Sequence, residues 1–301
     1  MPITVSIIIV NYNTLQLTTS CIRSVIEHTK GVEYEIILVD NNSSECNMQI
    51  LTEEFPSIIF IQSESNLGFA GGNNLGLANA HGEYILLLNS DTEFVNDAVS
   101  IAVSKMKSDK NIGALSTKLI YPDGRPQPVA GRFPSLKAEL FELFRLSKFE
   151  SEDKKRNRLH NDLWDYSKYT ETDWLWGAFL LMPRAVLKQF PLQKLHEDFF
   201  MYYEDVQWCY FIKHTLKLKI VYIPEGVVIH HIAGSSAIKN PWINFKTKIL
   251  LNQYNFLIQI HGHIYAYAFY LIKIMHYFTL KGELNKNKAK EYFQFLFSSK
   301  K

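Results

Sequence analysis

Cysteine is scarce: 301 residues carry three, Cys21, Cys46 and Cys209, an odd number without metal-ligand spacing. That excludes a disulfide framework and a zinc cluster, and the apolar neighbours of Cys21 and Cys209 point to reduced structural thiols. The start, Met1-Pro2-Ile3-Thr4, lacks the basic residues, apolar core and small-residue cleavage site of a signal peptide, so the sequence predicts a place on the cytoplasmic side. No internal repeat is visible, and no G-x-G-x-x-G occurs. The glycines of Asn66-Leu-Gly-Phe-Ala-Gly-Gly-Asn-Asn74 precede a helix but have the wrong spacing for a dinucleotide enzyme, which argues against a dehydrogenase. Arginine is missing from Ala237 to Lys301, where ten lysines face two acids for a net charge of +8; the rest of the chain, with 22 basic and 28 acidic residues, carries −6. Lysine among aliphatic and aromatic residues favours anionic lipid head groups and argues against nucleic acid as a partner. An unbroken membrane-length apolar run is absent too. Ile249 to Ile272 is 24 residues without a formal charge, but Asn252, Gln253, Asn255, Gln259, His261, Gly262 and His263 interrupt it. Two readings of this tail follow: helices lying in a membrane interface, or helices packed on the core.

At 47% hydrophobic, the chain can bury a substantial core. From Ile3 to about Tyr121, strands alternate with helices at spacings that suit βαβ units, predicting an α/β fold with a mostly parallel central sheet flanked by helices. Thr14 is expected to cap a first helix running to about His28, with helices at Gly68 to Ala80 and Asp97 to Met106 and strands at Ser57 to Ile61 and Ile112 to Tyr121. Arg125 to Pro134, with three prolines and no regular period, reads as a surface loop. Ala138 to Phe149 is amphipathic, and the charge run Glu150 to Arg158 reads as a solvated helix or flap. Strands are expected at Trp174 to Met182, Lys219 to Ile223 and Val227 to Ile232, with a helix at Tyr203 to His214. The expected boundaries are a domain over 1–236, divided near 121, and a basic, aromatic helical extension over 237–301.

Three apolar runs stop abruptly in polar clusters: Val5 to Val10 at Asn11-Tyr12-Asn13, Tyr34 to Val39 at Asp40-Asn-Asn-Ser-Ser44, and Tyr84 to Leu88 at Asn89-Ser90-Asp91. The carboxyl ends of parallel strands are where open α/β sheets bind ligands. A lone carboxylate there is often a turn former, but Asp40 and Asp91 together fit a hard divalent cation bound with the oxygens of a diphosphate. A second cluster, His196-Glu-Asp-Phe-Phe-Met-Tyr-Tyr-Glu-Asp-Val206, places an acid pair at a helix start among aromatic residues. The helix dipole alone accounts for acids there, but partial desolvation also suits a general base.

In these residues the chain resembles the glycosyltransferase family 2 enzymes of the GT-A fold, and within them the bacterial rhamnosyltransferase-like branch. The resemblance spans Val5 to Ser236 and rests on seven segments in order: Val5 to Asn13, Asp40 to Ser43, Asn66 to Asn74, Leu88 to Thr92, Trp176 to Phe179, Tyr203 to Val206 and His231 to Gly234. It implies that Asn11, Tyr12 and Asn13 border the nucleotide, that Asp40 contacts the base, and that Asn66, Gly68 and Asn73 approach the ribose, diphosphate or sugar. Asp91 corresponds to the last acid of the family's Asp-x-Asp motif and is implied to bind manganese or magnesium; Asn89 replaces the first acid, and Ser90 lies between. Trp176, Gly177 and Glu204 are implied to line the acceptor site, and Asp205 to be the catalytic base. His231, three residues before Gly234, matches the late metal ligand, with His230 as the alternative. Gln207 and Phe211 depart from the acid and arginine that often follow the base.

The implied reaction is inverting transfer of rhamnose or a hexose from a dTDP- or UDP-linked donor to a glycan or polyprenyl-linked acceptor in cell-surface polysaccharide synthesis, peripheral to the inner membrane surface. A non-catalytic nucleotide-sugar-binding or scaffold protein is the alternative, against which the intact Asp91 and Asp205 weigh.

Overall fold

The computed structural model describes residues 2–45, 47, 49–151, 154–155, 166–232 and 241–297. Cys46, parts of the charge run at 152–153 and 156–158, and residues 233–234 of the last motif lie outside them. The strands are β1 (Val5–Asn11), β2 (Tyr34–Asp40), β3 (Ile59–Gln62), β4 (Tyr84–Asn89), β5 (Thr92–Phe94), β6 (Ile112–Ile120), β7 (Ala130–Gly131), β8 (Thr170–Thr172), β9 (Trp174–Leu175), β10 (Phe179–Pro183) and β11 (Lys219–His230). The main sheet has the order β3-β2-β1-β4-β10-β6-β11-β5, with β8 added to β11, while β7 and β9 pair separately.

The first four strands in that order are parallel, as their unbroken apolar runs require: Ile7, Ile8 and Ile9 of β1 and Ile85, Leu86 and Leu87 of β4 are fully buried. The other half is mixed. β10 runs antiparallel to both β4 and β6, β11 is parallel to β6, and β5 and β8 are antiparallel to β11. The two expected late strands are one strand, β11, whose register against β6 breaks between Tyr222 and Val227.

Register sets the site. Asn11 pairs with Asp40, Asp40 with Gln62 and Val10 with Asn89, so four parallel strands reach their carboxyl ends at one level. His230 pairs with Thr92, bringing the end of β11 beside the residue that follows Asp91.

The helices α1 (Leu15–His28), α2 (Ile50–Glu54), α3 (Gly68–Leu77) and α4 (Ala98–Ser108) connect the early strands. Asp97 caps α4, its carboxylate accepting from the Ser100 amide at 3.0 Å. Thr14 precedes α1 but makes no side-chain cap; its hydroxyl is drawn instead to Asn11 Oδ1 at 2.7 Å. Next in the chain are α5 (Leu136–Leu143), α6 (Arg184–Leu187), which follows Pro183 at the end of β10, and α7 (Glu204–Tyr210), the last continuing as a wide turn over Phe211–Thr215.

The chain divides into two compact units, Met1–Gly131 with His160–Lys239, and Arg132–Leu159 with Asn240–Lys301. The second unit thus joins most of the expected 237–301 extension to a segment, Arg132–Leu159, that the sequence places within the domain over 1–236. It contains α5, α8 (Pro241–His261), α9 (His263–Thr279) and α10 (Glu283–Phe297). Arg145, in the left-handed region at φ 56°, stops the amphipathic stretch at a turn before Leu146–Phe149. Its own core holds Tyr254, Leu257, Phe269, Tyr270, Ile274 and Leu296, with a partly buried Lys273–Glu139 ion pair at 2.8 Å. On α9, Ile264, Tyr267, Leu271, Met275 and Phe278 are exposed at successive steps of three or four residues, which aligns them in one stripe. Tyr267 meets Phe297 of α10 edge to face at 6.1 Å, and Lys286, Lys290, exposed Phe293 and Phe297 follow the same spacing on that helix. Among the described residues, no helix is long and apolar enough to cross a membrane.

Candidate active site

The strand ends are tied by a buried polar chain. Asn11 Nδ2 donates to Asp40 Oδ1 at 3.0 Å and Ser43 Oγ at 2.9 Å, while Asn11 Oδ1 accepts from Thr14 and Thr18, each at 2.7 Å. Thr14 reaches Ser90 at 3.0 Å, so the ends of β1, β2 and β4 are coupled. The Asp40 carboxylate is buried and also accepts from Gln62 Nε2 at 2.7 Å and from Ser43. Asn13, at φ 55°, turns the chain and accepts from the Ser44 and Glu45 amides at 2.8 and 3.2 Å, leaving Tyr12 half-buried at the rim.

Asn66, Gly68 and Asn73 stand at the start and along the first turns of α3. Asn41 donates to Asn66 Oδ1 at 3.1 Å and to the Gly68 carbonyl at 3.0 Å, and accepts from the Leu67 amide at 2.9 Å, which pins the entry to α3. Gly68 is at φ +72°, and a Cβ there would strike the Phe200 carbonyl, which accepts from the Phe69 amide at 3.1 Å. Asn73 turns back on the Phe69 carbonyl at 2.9 Å. Asn74 holds both the amide and the carbonyl of Leu195, at 2.8 and 2.9 Å, and Glu197 at 2.6 Å. This face of α3 therefore clamps the acidic aromatic loop that leads to Asp205.

At the other side of the edge stands Asp91, nearly buried, with its Oδ1 3.3 Å from His230 Nε2. Asn89 Nδ2 is also 3.3 Å from that nitrogen. His231, expected as the better match to the late metal ligand, instead faces Glu93 at 3.0 Å; only its backbone amide touches Asp91, through the carbonyl at 2.9 Å. Successive strand residues point to opposite faces, so one of the doubled histidines had to turn away. Among the described residues, no three His, Cys, Asp or Glu side chains converge to hold a metal ion. A two-ligand corner of one carboxylate and one imidazole nonetheless fits a cation that completes its shell with diphosphate oxygens.

The base candidate is held by backbone. Asp205 Oδ2 accepts from the Gly177 amide at 3.1 Å and Oδ1 from the Val206 amide at 2.8 Å. Burial lifts its carboxyl to about 6, against which the Gly177 and Val206 hydrogen bonds work. Glu204 is nearly buried, its Oε2 without a hydrogen-bond partner among the described residues, and burial followed by repulsion from Asp205 pushes it up to about 8. It is thus set into the protein rather than presented as an open acceptor contact. Tyr202 and Tyr203, both at positive φ (72° and 82°), make the sharp entry to α7.

Trp176, Gly177 and Ala178 connect the two corners. The Trp176 ring meets His230 edge-on at 6.3 Å, the Gly177 amide binds Asp205, and the Ala178 carbonyl accepts from the Asn89 amide at 3.0 Å. The sequence reading gave no individual role to Asn41, Asn74 or Gln127. The Asp40-Asn-Asn-Ser and Gly-Gly-Asn-Asn strings carried the first two, whereas Gln127 sat in the segment read as a surface loop and is fully buried.

Residues 6–188 match the model of Glycosyl transferase family 2. A low-salt glycan biosynthesis hexosyltransferase of Haloferax volcanii is 28% identical over 209 residues, which is 68% of this chain and 60% of that protein. An N-acetylglucosaminyl-diphospho-decaprenol L-rhamnosyltransferase of Mycobacterium tuberculosis is 26% identical over 67% of each chain. The fold is shared with a mannosyltransferase from Pyrobaculum calidifontis solved in complex with GDP-Man and Mn2+, at a TM-score of 0.61 and 14% identity, covering 97% of this chain and 76% of that one. The match extends over more than half of the sequence and includes the ends of β1, β2 and β4, α3 and Asp91: the chain belongs to glycosyltransferase family 2 and has the GT-A fold.

Proposed function

We propose that the protein transfers a sugar, with inversion, from a nucleoside-diphosphate donor to a hydroxyl of a glycan or lipid-linked glycan precursor. The observation that carries this reading is the Trp176-Gly177-Ala178 segment, which touches both the Asp91–His230 corner and the Asp205 carboxylate. In this reading the nucleotide lies over the β1 and β2 ends, with Asp40 facing the base and Asn11, Tyr12 and Asn13 along its border. Asp91 and His230 would hold a divalent cation, manganese or magnesium, which neutralises charge on the departing diphosphate.

Asp205, raised to about 6, is mostly ionised at neutral pH and remains basic enough to take a proton from a sugar hydroxyl. The acceptor oxygen bonds to the anomeric carbon as the bond from that carbon to the diphosphate oxygen breaks. The proton ends on Asp205, the electron pair on the nucleoside diphosphate, and a single displacement inverts the configuration. The Trp176 ring offers an apolar wall for the acceptor. The names of the relatives support rhamnose or a hexose as the transferred sugar and a lipid-linked diphosphate acceptor; dTDP-rhamnose is the first donor to test, then UDP-hexoses. The stripe on α9, with lysines beside it, supports peripheral attachment of the second unit to an anionic membrane surface.

The test is Asp205→Asn. Turnover is expected to disappear while thermal stabilisation by dTDP, UDP or GDP, each with Mn2+, persists. Unchanged turnover would remove Asp205 from the mechanism, and wild-type nucleotide binding without transfer to any glycan or lipid-linked acceptor would favour a non-catalytic binding protein.

A further inference from the structure

Pro126-Gln127-Pro128 has a single backbone N–H among its three residues, because proline has none, and that N–H goes to the Leu119 carbonyl at 2.9 Å. The two prolines restrict the backbone on either side of Gln127, and Pro126 bridges to Ile120 at the end of β6. The result is a glutamine side chain with no exposure to solvent, inserted between β6 and β11. A buried primary amide is costly unless both ends are satisfied. Here both ends serve one residue.

Gln127 Nε2 lies 2.7 Å from the His230 carbonyl and 3.4 Å from the Ile120 carbonyl, while its Oε1 lies 2.9 Å from His230 Nδ1. Two carbonyls can only accept, so the amide nitrogen must face them and the amide oxygen must face the ring. An amide oxygen can only accept as well, so Nδ1 carries the hydrogen. The neutral imidazole therefore has its lone pair on Nε2, the nitrogen 3.3 Å from Asp91 Oδ1 and 3.3 Å from the Asn89 amide nitrogen. The Asn89 amide can donate to that lone pair, and the carboxylate oxygen beside it would give a cation approaching Nε2 a second ligand.

We propose that Gln127 is a positioning residue: it fixes the Nδ1–H tautomer of His230 and aims the Nε2 lone pair at the corner beside Asp91. The proposal rests on the reading above that Asp91 and His230 hold a divalent cation. Gln127 bonds to His230 on the side of Nδ1 and is not itself assigned as a ligand. Its effect passes through the imidazole, as partners of metal-ligating histidines do elsewhere by orienting the ring and setting its tautomer.

Gln127→Leu, close in volume and without polar atoms, tests this in the full chain. Mn2+ is titrated into wild type and variant in the presence of UDP, dTDP and GDP in turn, with free Mn2+ read by electron paramagnetic resonance. Mn2+ binding is expected to weaken about 10- to 100-fold in the variant. Equal Mn2+ affinity in the two proteins, with only the melting temperature lowered, would overturn the inference and leave Asp91 and His230 in place. A wild type that binds no Mn2+ with any of the three nucleotides would overturn the cation reading and the inference together. Imidazole nitrogen NMR of the wild type gives a second readout that does not depend on how the variant folds. His230, assigned by the signal lost in His230→Asn, is expected as the Nδ1–H tautomer, and an Nε2–H tautomer would refute the role given to Gln127.

Discussion

Glu204→Gln is expected to stabilise the protein at alkaline pH and to flatten its pH dependence. Glu204 is nearly buried, has a carboxyl oxygen without a partner among the described residues, and adjoins Asp205; burial, then repulsion from Asp205, raises it from 4.5 to about 8. A carboxyl raised in the folded state binds its proton more tightly there than in the unfolded chain. The folded protein therefore loses stability as pH rises from about 4.5 through about 8, the interval in which the unfolded chain has released the proton and the folded one retains it. At about 1.4 kcal/mol per unit, this shift bounds the effect at about 5 kcal/mol. Because part of the rise is repulsion from Asp205, with which Glu204 titrates as a pair, an effect on the order of 2–3 kcal/mol is expected. Glutamine keeps the shape and removes the ionisation. The assay is the midpoint of urea unfolding at pH 5 to 9 for both proteins. Similar midpoints at pH 5 and a more stable variant at pH 8.5 are expected; parallel curves, or a variant less stable at pH 8.5, would show that Glu204 has an ionic partner and that the burial argument fails.

Gly68→Ala is expected to cost about 2–4 kcal/mol, combining a left-handed backbone at φ +72° with a Cβ driven onto the Phe200 carbonyl, and to lower kcat by displacing the loop before Asp205; a stability within 0.5 kcal/mol of wild type in chemical denaturation would contradict that. In the second unit, replacing Leu271, Met275 and Phe278 with serine should reduce co-sedimentation with vesicles containing anionic lipid by at least about tenfold, since each buried apolar side chain contributes about 1.5–3 kcal/mol. Undiminished sedimentation would assign the stripe another role. Asp205→Asn separates nucleotide binding from turnover, and Gln127→Leu separates cation binding from fold.

The parallel half of the sheet was legible because each strand is an apolar run that stops at a polar cluster, so Asn11, Asp40 and Asn89 mark strand ends directly. The mixed half was not. The direction of β10 depends on its fit between β4 and β6, and neither partner is a neighbour in sequence. The doubled histidine illustrates the limit. Alternation along β11 buries Val228 and His230 on one face, a period-two signal, but Val227-Val228-Ile229 is apolar throughout and conceals the phase. Gln127 is concealed by its prolines, which say nothing about exposure, and the same segment, read as a surface loop, also supplies β7. Thr14 shows the same competition at a helix start, where a tertiary hydrogen bond to Asn11 displaces the local cap.

In the proposed reaction the site separates two electrostatic demands that one carboxylate cannot meet. A group that holds a cation must stay ionised close to positive charge, and Asp91 stands beside His230 at the sheet edge. A base must be ionised yet retain proton affinity, and Asp205 reaches about 6 because burial opposes its charge while backbone amides, those of Gly177 and Val206 among them, support it. If Asp205 were paired with lysine or arginine, its proton affinity would fall and the reaction would lose its acceptor for the hydroxyl proton. The acidic neighbour Glu204 serves the opposite end: when it is ionised it disfavours charge on Asp205, and when it is protonated it leaves Asp205 free to ionise near neutral pH. The Trp176-Gly177-Ala178 segment keeps these demands apart while joining their positions, with an aromatic edge toward His230 and a backbone donor toward Asp205. Moving charge into that segment, for example by Ala178→Asp, would therefore disturb both corners at once, in contrast to Asp205→Asn or Gln127→Leu, which each affect one.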